Sequence, residues 1–116
     1  MTKFEYVRDY WAAEGKKDLE RILDHFCEDA EFVSPTMRLN GRKNVAEFYR
    51  GMIGGFKEIE VTPVNSVESG DSIAVEYECR LVRNSGEVRQ ARGFNLFVFK
   101  NGRFQRVHCY YNPADF

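Results

Sequence analysis

The residues able to do chemistry in this sequence are few and scattered. Asn95 stands between Gly93 and Phe97 on a stretch that alternates with period two. A buried amide there needs partners, because leaving it unpaired costs about 1–3 kcal/mol. Neighbouring backbone can supply them, and so can a ligand or an ordered water. Tyr10 shares an apolar stripe with Phe4, Val7 and Trp11, so its hydroxyl is either satisfied in the core or donates into a cavity. Ser34 precedes Pro35 and reads as a strand-end residue, with no base visible beside it. His108 falls near the same alternating stretch, and His25 reads as a partly exposed helix residue. Cys27, Cys79 and Cys109 lack C-x-x-C spacing, which fits reduced thiols, and Cys79 and Cys109 read as inert buried ones. No spacing suits a metal, and Gly51, Gly54 and Gly55 follow a helix stripe where a phosphate loop would open one. No cofactor is implied.

The elements that must position these residues are legible from periodicity. Thr2 and Glu5 form a capping-box pattern before a helix over roughly residues 3–14 that ends at Gly15. Asp18 caps a second helix with Leu19, Ile22, Leu23 and Phe26 on its stripe. A short strand, Glu31–Ser34, stops at Pro35, and Asn40-Gly41 turns the chain. A third helix carries Val45, Phe48, Tyr49, Met52 and Ile53, closed by Gly54-Gly55. From Lys57 the period becomes two. Ile59, Val61 and Val67 mark a strand in which Pro63 implies an edge or a bulge. Ile73, Val75, Tyr77, Cys79 and Leu81 then share one face, with Glu76, Glu78 and Arg80 on the other. A long hairpin follows: Val88–Lys100, the turn Asn101-Gly102, and Arg103–Tyr111. Helices first and strands after imply a single α+β domain over residues 1–116, a curved antiparallel sheet whose concave face is covered by three helices.

The hairpin turn decides which residues join Asn95. A two-residue turn pairs Lys100 with Arg103 and brings His108 to the side of Asn95, where with Tyr10 it would make an acid–base site. A three-residue loop pairs Phe99 with Arg103 and brings Val107, Cys109 and Tyr111 there instead. The second set is the more apolar and is the expected inner face. Phe94, Leu96 and Val98 then point away from the helices. Such an exposed row predicts a homodimer, with Glu76, Glu78, Arg80 and Arg92 around the patch.

Composition narrows the classes of function. The chain has 116 residues, 43% hydrophobic and 30% charged, which suits a soluble domain with its own core. Aromatics reach 15%, enough to line a cavity. A formal charge of −1 argues against nucleic acid and anionic membranes. No basic-apolar leader and no apolar run of about 18 residues is present, so a cytoplasmic protein is expected.

The order helix–helix–strand–helix–four strands resembles the nuclear transport factor 2-like superfamily. Tyr10-Trp11-Ala12-Ala13, Asp18-Leu19, Phe26, Asp29-Ala30 and Pro35 are similar to the start of bacterial ketosteroid isomerases, as is Glu47-Phe48-Tyr49. Gly102-Arg103-Phe104 and Tyr110-Tyr111-Asn112 look like the ending of limonene epoxide hydrolases and SnoaL-like polyketide cyclases. The resemblance implies a cone with a cavity between helices 1 and 3 and the concave sheet face. It would be lined by Tyr10, Ser34, Phe48, Tyr77, Cys79, Asn95, Val107, Cys109 and Tyr111. Tyr10 falls where the isomerases place an oxyanion donor, and Asn95 where they place a neutral aspartic acid. Ser34 replaces their general-base aspartate. Cys109 falls where the hydrolases and cyclases carry an acid, and Tyr77 and Cys79 where the hydrolases carry an arginine and another aspartate. The expected function is therefore binding of a small apolar ligand of steroid, terpenoid or polyketide type. An isomerase, cyclase or dehydratase activity would use Tyr10 and Asn95 as donors, and His108 or a water held by Ser34 as base. The alternative is a non-catalytic association module that works through its dimer face.

Overall fold

The computed structural model describes residues 1–116. Helix α1 spans Lys3–Gly15, α2 Leu19–Asp24 and α3 Arg42–Gly55. The capping box closes as its residues predict: the Glu5 N–H donates to Thr2 Oγ1 at 3.1 Å, and the Thr2 N–H to Glu5 Oε1 at 2.8 Å. Asp18 caps α2 by accepting from the Arg21 N–H at 3.2 Å. This helix is shorter than its apolar stripe suggests. It stops at Asp24, and Phe26 opens a strand while remaining fully buried. His25 is buried too, against the expectation of a partly exposed helix residue. Its Nδ1 lies 2.7 Å from the Arg21 carbonyl oxygen and its Nε2 2.9 Å from Asp9 Oδ2, so the ring ties α2 to α1.

The strands are β1 Phe26–Val33, β2 Arg38–Asn40, β3 Phe56–Ser69, β4 Ser72–Arg83, β5 Val88–Lys100 and β6 Arg103–Tyr111. They form one sheet in the order β2-β1-β6-β5-β4-β3. The fold class is α+β as the pattern implied, with two corrections. The three-residue β2 had no periodic signal of its own. The sheet is mixed, because β1 runs parallel to β6 while every other pair is antiparallel. No tight turn joins β1 to β6, so nothing forces them to run in opposite directions. Pro63 serves both anticipated roles: β3 is the sheet edge, and its register shifts between Pro63 and Asn65.

The concave face carries the core. Ile73, Val75, Tyr77, Cys79 and Leu81 of β4 meet Ile59 and Val61 of β3 on one side, and Ala91, Gly93, Asn95 and Phe97 of β5 on the other. Gly93 is required here. A Cβ on it would stand 2.3 Å from the Tyr110 carbonyl oxygen, 3.0 Å from the Tyr77 hydroxyl and 3.2 Å from Tyr111 Cβ. Its bare backbone gives the Tyr77 and Tyr111 rings room to turn inward.

The long hairpin resolves its register in a way neither simple turn describes. Asn101-Gly102 is a two-residue turn that pairs Lys100 with Arg103, both turn residues at positive φ. The register then shifts past Phe99–Phe104, so that Val98 faces Arg106 and Gln105 is the extra residue. From there Asn95 pairs with Cys109 and Phe97 with Val107. Val107, Cys109 and Tyr111 thus share the side of Asn95, while His108 pairs with Leu96 on the opposite face.

On that convex face an aromatic row lies open. Phe94 stacks on Tyr110 with ring centroids 4.6 Å apart, and Tyr110 on His108 at 4.3 Å. Phe94 is 42% exposed, Tyr110 39% and Val67 68%, so an apolar patch lies uncovered on this side of the sheet among exposed Glu76, Glu78, Arg80 and Arg92. Leu96 and Val98 are half-buried, less open than their alternation alone suggests.

Candidate functional site

A cavity of about 430 Å³ opens between α1, α3 and the concave sheet face. Its walls are mostly apolar, which suits a small-molecule pocket of about 300–1,000 Å³. α1 contributes Tyr10, Trp11 and Glu14; α3 contributes Phe48, Tyr49 and Met52. β4 adds Tyr77, Cys79 and Leu81, β5 adds Asn95, and β6 adds Cys109 and Tyr111. Phe116 closes one side, edge-on to Tyr111 at 4.7 Å between centroids.

The structure places most of the sequence-derived site residues together. Tyr10, Ser34, Phe48, Tyr77, Cys79, Asn95, Cys109 and Tyr111 all line the cavity. Val107 is on the correct face but packs in the core behind it. His108 is the residue to correct. It points to the convex side, where its Nδ1 lies 3.2 Å from the Tyr110 hydroxyl and 3.4 Å from Arg106 Nη2, and it cannot reach Asn95 or Tyr10. Partial burial and the Arg106 and Arg38 charges hold its pKa below the usual imidazole value. Ser34 Oγ accepts from the Thr36 N–H at 3.2 Å, the local turn of a strand-end serine.

The acid that the resemblance left missing is present at another position. Glu14 is 6% exposed and lines the cavity one helical turn beyond Tyr10. The Tyr49 hydroxyl donates to Glu14 Oε2 at 2.5 Å, and the Tyr10 hydroxyl is hydrogen-bonded to that of Tyr49. Each phenol has one proton. With the Tyr49 proton committed to Glu14, Tyr10 must donate to Tyr49, so the chain runs Tyr10 to Tyr49 to carboxylate. Burial pushes the Glu14 pKa up from 4.5 to about 7, against the bond from Tyr49 and the Tyr10 hydroxyl behind it, which favour its charged form. Burial, and then the Glu14 charge, drive both phenols well above 10. No lysine, arginine or histidine lines the cavity. Glu14 is therefore its one group poised to ionise near neutrality. Sequence held one signal for it: Val7, Tyr10, Trp11 and Glu14 fall at i, i+3, i+4 and i+7 of the buried stripe.

The other polar wall is Asn95. It is 6% exposed, and its Oδ1 has no protein partner. Turned over, the same amide presents its N–H groups. The thiols beside it are held neutral: burial pushes Cys79 up to about 11 and Cys109 higher still, with the Glu14 charge adding to both. No cluster of three His, Cys, Asp or Glu side chains could hold a metal ion, and no helix is long and apolar enough to cross a membrane.

Solved structures share this architecture. An NTF2-like protein of unknown function from Burkholderia pseudomallei superposes with a TM-score of 0.87 at 22% identity, covering 98% of this chain and 94% of that one. A protein with a ketosteroid isomerase-like fold from Catenulispora acidiphila, solved with trimethylamine, gives 0.88 at 15% identity over 98% and 90% of the chains. TerC, co-crystallised with polyporic acid, gives 0.84 at 18% identity over 96% and 92%. At such identities the likeness is one of fold. No curated protein matches this chain in sequence. The SnoaL-like domain family matches residues 7–107, and the three helices, the mixed sheet and the cone cavity are arranged accordingly; the chain belongs to the SnoaL-like domain family.

Proposed function

We propose that the cone cavity binds a small, largely apolar molecule that brings one carbonyl or hydroxyl oxygen to its polar end. The observation that carries this reading is Asn95, a buried amide in the wall of an apolar cavity whose side-chain oxygen has no protein partner. An amide in that state costs about 1–3 kcal/mol, which a ligand hydroxyl, or a carbonyl after an amide turn, would recover. The class of ligand is steroid, terpenoid or polyketide-like, within the cavity's reach of about 430 Å³. Tyr10 serves the same end less directly than its position suggests, because its proton is engaged by Tyr49 while Glu14 is ionised. The chemistry such a site supports is isomerisation, cyclisation or dehydration through an enolate-like oxygen. Its three free thiols suit a reducing compartment such as the cytoplasm.

The test is a thermal-shift screen against steroids, small terpenoids and aromatic polyketide mimics, with Asn95→Ala and Tyr10→Phe alongside. A true ligand at 100 times its Kd adds about 2.7 kcal/mol of stability to the wild type. Asn95→Ala should lose most of that shift, and Tyr10→Phe a smaller part. Absence of a shift with every class would remove the reading.

The convex face supports a second reading, an association surface. The stacked Phe94–Tyr110–His108 row beside exposed Val67 is the place where we propose a second copy of the chain packs. Sedimentation at micromolar concentration should show a dimer that Phe94→Glu converts to monomer. A wild-type monomer would end the idea.

A further inference from the structure

We propose that Glu14 is the acid–base group of this cavity, taking a proton from a carbon next to a ligand carbonyl and returning it within the same complex. The inference rests on the ligand-binding reading above and adds to it the missing chemistry. Its grounds are geometric. Glu14 lines the cavity and carries no cation partner, and Tyr49 occupies its Oε2. The tyrosine chain behind it fixes the carboxyl group in place: Tyr49 comes from α3 and Tyr10 from α1, so two helices set its position.

The step balances without any co-reactant. The C–H bond adjacent to the carbonyl breaks, and its proton forms an O–H bond on the Glu14 carboxylate. The C–H electron pair becomes the C=C bond of an enolate, and the carbonyl π pair moves onto oxygen. The Asn95 amide, turned with its N–H groups toward the cavity, donates to that oxygen. Return of the proton to the same carbon gives exchange, and return to a conjugated carbon shifts the double bond. The ionisable groups that face Glu14 are Tyr10, Tyr49, Tyr77, Cys79 and Cys109, from α1, α3, β4 and β6. All five are neutral at pH 7, since burial raises every one. None of them competes as a base. A base with a pKa of about 7 is also matched to proton transfer at neutral pH.

The experiment follows deuterium uptake at the α-carbons of 2-tetralone in heavy water by proton NMR. Binding of 2-tetralone and of 1-naphthol is measured separately by thermal shift. Wild type should accelerate uptake, with a rate that rises with pH and levels off above about 7. Glu14→Gln should still bind both probes but exchange about 100-fold or more slowly. Tyr49→Phe removes a bond that favours the carboxylate, so its profile should move to higher pH while exchange persists. A merely structural role for Glu14 would not move that profile. Binding without exchange above buffer, or equal exchange in Glu14→Gln, overturns the assignment and leaves the pocket standing. If neither probe binds, the ligand reading falls and takes this one with it.

Discussion

Glu14→Gln should make the protein more stable at pH 8 and leave it nearly unchanged at pH 5. The sign follows from linkage. Glu14 has a folded-state pKa of about 7 against 4.5 when free, so the folded chain holds a proton that the unfolded chain has already lost between those values. Stability from this group is full below about 4.5 and is lost as pH rises through about 7. Ionising the buried carboxylate then costs up to about 3 kcal/mol at pH 8, which the neutral amide avoids. In a chain of 116 residues that is a rise in Tm of roughly 10 °C. Tyr49 can donate to the glutamine carbonyl as it does to the carboxylate, so no hydrogen bond need be lost. Thermal melts of both proteins at pH 5 and pH 8 check the idea, and an equal offset at both pH values would contradict it.

Phe104→Ala should cost about 3–5 kcal/mol, the usual price of an aromatic cavity in a packed core. Phe104 is fully buried and stands at the hub of the aromatic core. Ring centroids lie 4.7 Å away at Phe97, 5.1 Å at Tyr6 and at Tyr10, and 5.5 Å at Phe26. Its backbone N–H also donates to the His25 carbonyl oxygen at 2.8 Å, stitching β6 to the end of α2. The loss is about a fifth or more of the roughly 5–15 kcal/mol that a domain usually has in reserve. The substitution also removes the ring against which Tyr10 is braced, so the Tyr10–Tyr49–Glu14 chain should loosen in whatever fraction remains folded. Urea unfolding measures the effect, and a loss below about 1 kcal/mol would show that the neighbouring rings collapse into the gap.

The parts of the fold that could be read were those where periodicity and turn residues agree. α1, α3 and the strands from β3 onward each carry a clean stripe or alternation bounded by Gly, Asn or Pro. The missed parts are those set by tertiary contact. β2 is three residues held by pairing with β1, and Phe26 satisfies a helix stripe and a strand core equally well. The face carrying Cys109 was the expected one, but the reason was a bulge at Gln105, not a three-residue loop. The pocket walls followed from alternation plus the family resemblance. Glu14 did not, because a glutamate beside Gly15 and Lys16-Lys17 has the composition of a solvated helix end. Charged side chains are rarely buried, and its position on the stripe with Tyr10 was the only counter-signal.

The extra residue in β6 has a meaning beyond its geometry. That strand carries two complete linings interleaved, one of Val107, Cys109 and Tyr111, the other of Arg106, His108 and Tyr110. Gln105 acts like a reading frame that decides which lining the cavity receives. Drawn into the ladder opposite Val98, Gln105 would bring His108 opposite Asn95; held out as a bulge, it leaves the neutral Cys109 thiol there. A thiol wall and an imidazole wall are therefore separated by one bulge, and one short strand carries both alternatives.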